Sequence, residues 1–254
     1  MNISIIGTGN VATVFAKLAH NQNHTVVQII SRNEMEGKAL AKTVSATYIN
    51  FKEKIDVVDL IIIAVSDNAL PILVNELNLP KTIIVHTAGS VSINIFKDKV
   101  VNYGVLYPLQ SLRKNMDEIP AIPFLLEANN ETTYKTLEIF AKSLSTVVSP
   151  ITEKQRLSLH IAAVFASNFT NYIYAETYQF CEAEKIDFNL LLPLIKETAN
   201  RIVDKSPLEM QTGPARRNDE GTIAKHLMLL EKYPGIKNLY EYLTDGIKML
   251  YQKL

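Results

Sequence analysis

Gly7, Gly9 and Ala12 stand in a Gly-x-Gly-x-x-Ala spacing within the run Gly7-Thr8-Gly9-Asn10-Val11-Ala12. The first glycine permits a tight turn, the second lets the main chain approach a diphosphate, and the small Ala12 lets the following helix pack close to the preceding strand. Amides at the start of that helix face the negative charge, so Thr8, Asn10 and Val11 join the two glycines as cofactor-binding candidates. A sharp turn that binds nothing is the alternative. About 20 residues further on, where an NAD site places Asp or Glu, the chain has Ser31-Arg32-Asn33. A carboxylate there repels a 2′-phosphate, whereas a guanidinium binds it through charge-assisted hydrogen bonds. Ser31 and Asn33 offer neutral donors, and Glu34, opening the next helix, is expected to point elsewhere. The expected cofactor is therefore NADP. A solvated loop arginine is the other reading of Arg32.

Val65-Ser66 and Ser90 follow two later apolar runs. Ligands on open α/β sheets bind beyond the carboxyl ends of the strands, which places these residues beside the ribose and nicotinamide. Strand-end turns also favour Ser and Gly for local reasons.

His160 is the candidate for proton transfer. At about 100° per residue, Ser167 falls about 20° from it around a helix, Asn171 lies on the same line and Asn168 at its edge. A polar stripe among Ile161, Ala162, Val164, Phe165 and Phe169 implies a wet cleft, a ligand or a subunit contact. Histidine titrates near neutrality and can exchange the proton that accompanies hydride transfer to a carbonyl or imine. Asn168 is expected to orient the reacting oxygen or nitrogen. A structural histidine bridging helices is the alternative. Tyr107 and Gln110, in Tyr107-Pro108-Leu109-Gln110-Ser111, are expected to shape the substrate pocket. Arg216, within Gly213-Pro214-Ala215-Arg216-Arg217-Asn218-Asp219, could meet an anionic substrate group from a partner subunit. A surface turn whose Asp219 caps the next helix fits equally well. No metal site is expected.

The elements that must position these groups follow from periodicity. Strands are expected at 3–6, 25–30, 59–65, 82–86, 100–106, 123–127 and 146–148, with helices at 11–19, 34–42 and 131–144. Apolar strands separated by helical segments indicate a parallel sheet covered on both faces. After Pro150 the strand-like pattern ends. One helix is expected from Thr152 to about Glu184, then others at roughly Phe188 to Asp204, Gly221 to Glu231 and Ile236 to Lys253. The fold class is α/β: a Rossmann-type domain at 1–150, then an all-α domain at 151–254 for substrate and dimerisation.

The 26 basic side chains balance the 26 acidic ones, so no field exists to gather nucleic acid or an anionic membrane. The single cysteine, Cys181, precludes an internal disulfide and reads as a small helix residue. No basic, apolar leader opens the sequence and no apolar run nears the ~18 residues that span a bilayer. A cytoplasmic protein is expected. Apolar faces at Leu190-Leu191-Leu192 and Leu227 to Leu230 favour a homodimer.

On Gly7 to Ala12, His86-Thr87-Ala88-Gly89-Ser90, Tyr107 to Ser111, His160 to Asn168 and Gly213 to Asp219, the sequence resembles the β-hydroxyacid dehydrogenase and pyrroline-carboxylate reductase group. Within it the chain is most similar to coenzyme-F420-dependent NADP oxidoreductase-like proteins with a C-terminal domain of unknown function, DUF2520. The resemblance covers nearly the whole chain. It implies a Rossmann domain, a helical dimerisation domain like the C-terminal part of 6-phosphogluconate dehydrogenase, and NADP-linked redox chemistry on a small molecule. Dehydrogenases of the group carry a catalytic lysine on the long central helix; Ser158 to Asn168 has none. That absence argues against ordinary hydroxyacid dehydrogenation. Three functions follow: an NADP-dependent oxidoreductase acting on a small carbonyl or imine, a non-catalytic NADP(H) sensor or scaffold, and, resting on the resemblance alone, hydride exchange with a deazaflavin.

Overall fold

The computed structural model describes residues 1–116 and 118–252. The chain divides into two compact units, Met1–Ser167 and Asn168–Leu254. The first is built on an eight-stranded sheet. Its elements are β1 (Asn2–Ile6), α1 (Asn10–Asn21), β2 (Thr25–Ile30), α2 (Glu34–Thr43), β3 (Thr47–Ile49), β4 (Leu60–Ile63), α3 (Leu70–Glu76), β5 (Ile83–His86), β6 (Asn102–Pro108), β7 (Phe124–Ala128), α4 (Glu131–Leu144), β8 (Val148–Pro150) and α5 (Glu153–Ala163). The strand order is β3-β2-β1-β4-β5-β6-β7-β8. The order reverses beside β1, which leaves a crevice at the carboxyl ends of β1 and β4.

Both faces of the sheet are apolar. On one, Ile3, Ile5, Leu60, Ile62 and Val85 pack with Phe15 and Ala16 of α1 and with Leu137 and Phe140 of α4. On the other, Ile6, Ile30, Ile61, Ile63 and Ile84 pack with Leu70, Leu73 and Val74 of α3. Burial on both sides is why these strands read as unbroken apolar runs. Strand register sets the rim of the sheet. Ile30, Ile6, Ile63, His86 and Val105 stand in one row across five parallel strands. The residues that follow the first four (Ser31, Gly7, Ala64 and Thr87) therefore leave the sheet at the same level.

Several details depart from the periodicity. β7 runs antiparallel to β6, because the described residues between them form no helix to make a parallel crossover. β3 spans three residues and α3 seven, too short for a pattern to emerge. The run expected as one helix from Thr152 to Glu184 is α5, a π-helical stretch at Val164–Phe169, and α6 (Thr170–Ala183). A π-turn spaces its hydrogen bonds five residues apart, so an α-helical wheel drawn from His160 to Ser167, Asn168 and Asn171 loses its register there.

The second unit is helical. α6 is followed by α7 (Leu192–Asn200), α8 (Pro207–Met210), α9 (Glu220–Leu230) and α10 (Pro234–Gln252). The expected helix over 188–204 is a 3-10 turn at Phe188–Leu191 and then α7, with Pro193 in the first turn of α7. Lys253, expected at the end of the last helix, lies outside the described residues. Phe180 meets Tyr233 edge-on at 5.3 Å, and Cys181 is buried and free. Among the described residues no helix is long and apolar enough to cross a membrane.

Candidate active site

The turn between β1 and α1 is built by its glycines. Gly7 has φ +123°, and a Cβ there would sit 2.3 Å from the Ala64 carbonyl oxygen. Only glycine fits that conformation so close to neighbouring backbone. The same construction puts Ala12 Cβ at 3.5 Å, so the buried Ala12 seats α1 against the turn. Gly9 is the N-cap of α1 and brings no side chain to its amides. A Cβ at Gly9 would meet nothing within 4 Å, because the residue borders open space.

That space is a cleft of about 420 Å³ lined by Gly7, Thr8, Gly9, Asn10, Val11, Ser31, Arg32, Asn33, Phe51, Ala64, Val65 and Ser66. The tertiary structure thus gathers ten of the residues expected at the cofactor around one opening; Ser90 is not among its lining. Some side chains have further duties. Ser31 is buried and donates its hydroxyl to the Asn33 carbonyl at 2.8 Å. Asn33 caps α2 by accepting the Glu36 amide, which leaves its own amino group for the cleft. Arg32 is exposed and, among the described residues, has no carboxylate partner. Glu34 pairs with Lys38 at 2.6 Å, away from Arg32. Thr8 donates to Glu36 at 3.0 Å, and Lys114 pairs with the same carboxylate at 2.9 Å. These two partners hold the Glu36 carboxyl below its usual range, Lys114 first.

A second cluster adjoins the rim. Ser90 Oγ donates to Asp67, tying the turn after β5 to the turn after β4. Gly89 lies flat against the His160 ring, where a Cβ would stand 2.7 Å from Nδ1. The Tyr107 hydroxyl is 2.9 Å from that same nitrogen. Contacts therefore run without a break from Ser66 in the cleft through Asp67, Ser90 and Gly89 to His160 and Tyr107. Burial pushes the Tyr107 phenol up from its ordinary value, opposed by Arg156, so the phenol stays protonated and can either donate to Nδ1 or accept from Nδ1–H, as the ring's tautomer requires.

Gln110 gives its amino group to the Ala121 carbonyl at 3.2 Å and accepts from the Ser111 amide, so its side chain shapes its own loop. Asn168 belongs to the second unit. Arg216 stacks over the Tyr251 ring at 4.4 Å, and Asp219 caps α9 by accepting the Thr222 amide.

Sequence reasoning missed Arg156, Asp67 and Glu36. Arg156 precedes His160 by four residues, so the helical spacing that singled out His160 also put Arg156 near its face. Among the described residues no cluster of three His, Cys, Asp or Glu side chains could hold a metal ion.

The profile described as NADP oxidoreductase, coenzyme F420-dependent, matches residues 2–89. A domain of unknown function, DUF2520, matches residues 122–247. Among solved structures, the chain is 37% identical to BF3122 of Bacteroides fragilis, a protein assigned as an NADP oxidoreductase, over 98% of both chains with a TM-score of 0.91. It is 24% identical to protein TM1727 of Thermotoga maritima, covering 98% of this chain and 99% of that one, TM-score 0.82. An imine reductase of Myxococcus stipitatus in complex with NADP+ is 14% identical, with 100% and 93% covered and a TM-score of 0.67. The last two likenesses show the fold alone. Among curated proteins no significant match is found.

Proposed function

The chain belongs to the family of NADP oxidoreductases that carry DUF2520 at the C-terminal end, and from that premise we propose that it transfers a hydride between NADP(H) and a small carbonyl or imine substrate. The cofactor is NADP(H), and the residues of the cleft fit it. Gly7 and Gly9 leave the uncapped amides of α1 open to a diphosphate, as helix N-termini favour. Arg32, free of any carboxylate among the described residues, suits the 2′-phosphate, with the Asn33 amino group beside it. Val65 and Ser66 suit the ribose. When bound, the nicotinamide supplies or accepts the hydride.

The protein's own part is the proton. In the reductive direction, the doubly protonated His160 ring delivers its Nε2 proton to the substrate oxygen or nitrogen while the Tyr107 oxygen accepts from Nδ1–H. In the oxidative direction the neutral ring takes it back. The observation that carries this reading is the unbroken line of contacts from Ser66 to His160. A homodimer is part of the proposal: Leu190, Val203, Met228 and Tyr242 of the second unit are each more than 70% exposed, apolar surface that a partner would cover.

The test is calorimetry with NADP+ and NAD+, followed by NADPH oxidation across ketones, aldehydes and cyclic imines, with an oxidised deazaflavin as one further acceptor. Tight NADP+ binding with turnover of a carbonyl or imine supports the proposal. Tight binding with no turnover on any acceptor leaves the sensor reading instead, which the absence of a lysine from Ser158 to Asn168 keeps open. Turnover of the deazaflavin alone would assign the third function.

A further inference from the structure

Arg156 is fully buried, the largest such side chain among the described residues, and the proton transfer above has no use for it. A buried guanidinium is costly unless its geometry is well satisfied. Here Nη1 donates to the carbonyls of Ala88 and Gly89, both at 2.9 Å, and Nη2 reaches Glu127 at 3.3 Å. Nε is buried with no partner among the described residues. Such a residue is better explained by what it fixes than by what it stabilises.

What it fixes is a piece of main chain. The two carbonyls belong to the peptides on either side of Gly89 N–Cα–C, and Gly89 is the surface on which the His160 ring rests. Arg156 and His160 lie one turn apart on α5. The helix thus presents the ring and also grips the backbone that the ring lies against. Ser92 Oγ donates to Glu153 at 2.6 Å and ties the same segment to the start of α5. Tyr107 meets the ring edge-on at 5.9 Å and is bonded to Nδ1. We infer that Arg156 is the positioning residue of the Tyr107–His160 pair, acting through the main chain of Ala88 and Gly89. This deepens the function proposed above and rests on it only for the ring's role in catalysis.

The experiment uses the full chain with imidazole-15N histidine, with and without NADP+, and compares R156K, R156M, G89A and Y107F. R156K keeps the positive charge but loses the planar fork that holds two carbonyls and a carboxylate together. Y107F gives the signal of His160 with its Nδ1 bond broken. R156K and G89A should move the His160 Nδ1 resonance toward that of Y107F while the NADP+ Kd changes less than about twofold. With a substrate in hand, kcat should fall about tenfold or more, as ångström-scale misplacement of a reacting group does. Wild-type imidazole resonances and titration in R156K, and in R156M where it folds, would overturn the inference. If R156M does not fold, R156K decides. Because the signal is read without turnover, absence of any substrate counts against the proposed function and not against this one.

Discussion

The Tyr107 hydroxyl is hydrogen-bonded to Nδ1 of His160 across 2.9 Å, joining β6 to α5. Removing this bond leaves the ring in place against Gly89 but frees its orientation. Y107F should lower kcat about five- to tenfold, the worth of one ordinary hydrogen bond. H160N should lower it by about 10² or more, the usual weight of a general acid. NADP+ affinity should be unchanged in both. Equal kcat losses for the two variants would remove Tyr107 from a merely orienting role.

Arg32 is expected to discriminate between dinucleotides. A hydrogen bond to a charged group contributes about 1.5–3 kcal/mol, so R32A should weaken NADP+ about 10- to 100-fold and leave NAD+ nearly untouched. Calorimetry at one fixed salt concentration measures both. A parallel loss for NAD+ would mean that the guanidinium holds the turn and not the phosphate.

The two glycines of the turn should fail in different ways. G7A forces a methyl group against the Ala64 carbonyl at a positive φ, and should cost about 2–4 kcal/mol of stability as well as cofactor binding. G9A adds its methyl to open space. Its stability should stay within about 0.5 kcal/mol of wild type, while NADP+ affinity drops as the methyl enters the cleft. Denaturant titration and calorimetry on the pair would expose an error if G9A binds normally.

His86 predicts a pH dependence of stability. Burial, followed by the charge of Arg156, holds its pKa at about 3, against 6.5 in an unfolded chain. Between those values the unfolded chain binds a proton that the folded one refuses. Stability is therefore intact above about 6.5 and declines as pH falls toward 3, by at most about 1.4 kcal/mol per unit from this group. In H86N, whose amide oxygen can still accept the Ala88 amide, the slope over this window should be shallower. Identical slopes in wild type and variant would assign the acid sensitivity to other groups.

The apolar surface of the helical unit should be covered in solution. Light scattering on the eluting protein is expected to give twice the chain mass, and L190K combined with M228K should shift it to the monomer. A wild-type monomer would require another explanation for that surface.

How much of this was visible beforehand depended on distance along the chain. The turn at Gly7 to Ala12 and the Ser31-Arg32-Asn33 segment were legible, since a strand, a tight turn and a helix start are local events within one βαβ stretch. Asp219 as a helix cap was legible for the same reason. The π-helical stretch at Val164–Phe169 was not, because its composition contains no breaker. Arg156 was hidden differently: its partners, Ala88 and Gly89, lie 68 and 67 residues away, and nothing in its own neighbourhood marks it as buried.

The order of residues by itself determined the sheet-and-helix first half and the glycine turn with Arg32 beside its cleft, because backbone geometry and side-chain period act over a few residues at a time. Only tertiary structure decided which groups meet around His160. Strand register brings Gly7, Ala64 and Thr87 to one level, and the packing of α5 lays His160 on Gly89 beside Tyr107. Those contacts join segments that only the completed sheet draws together.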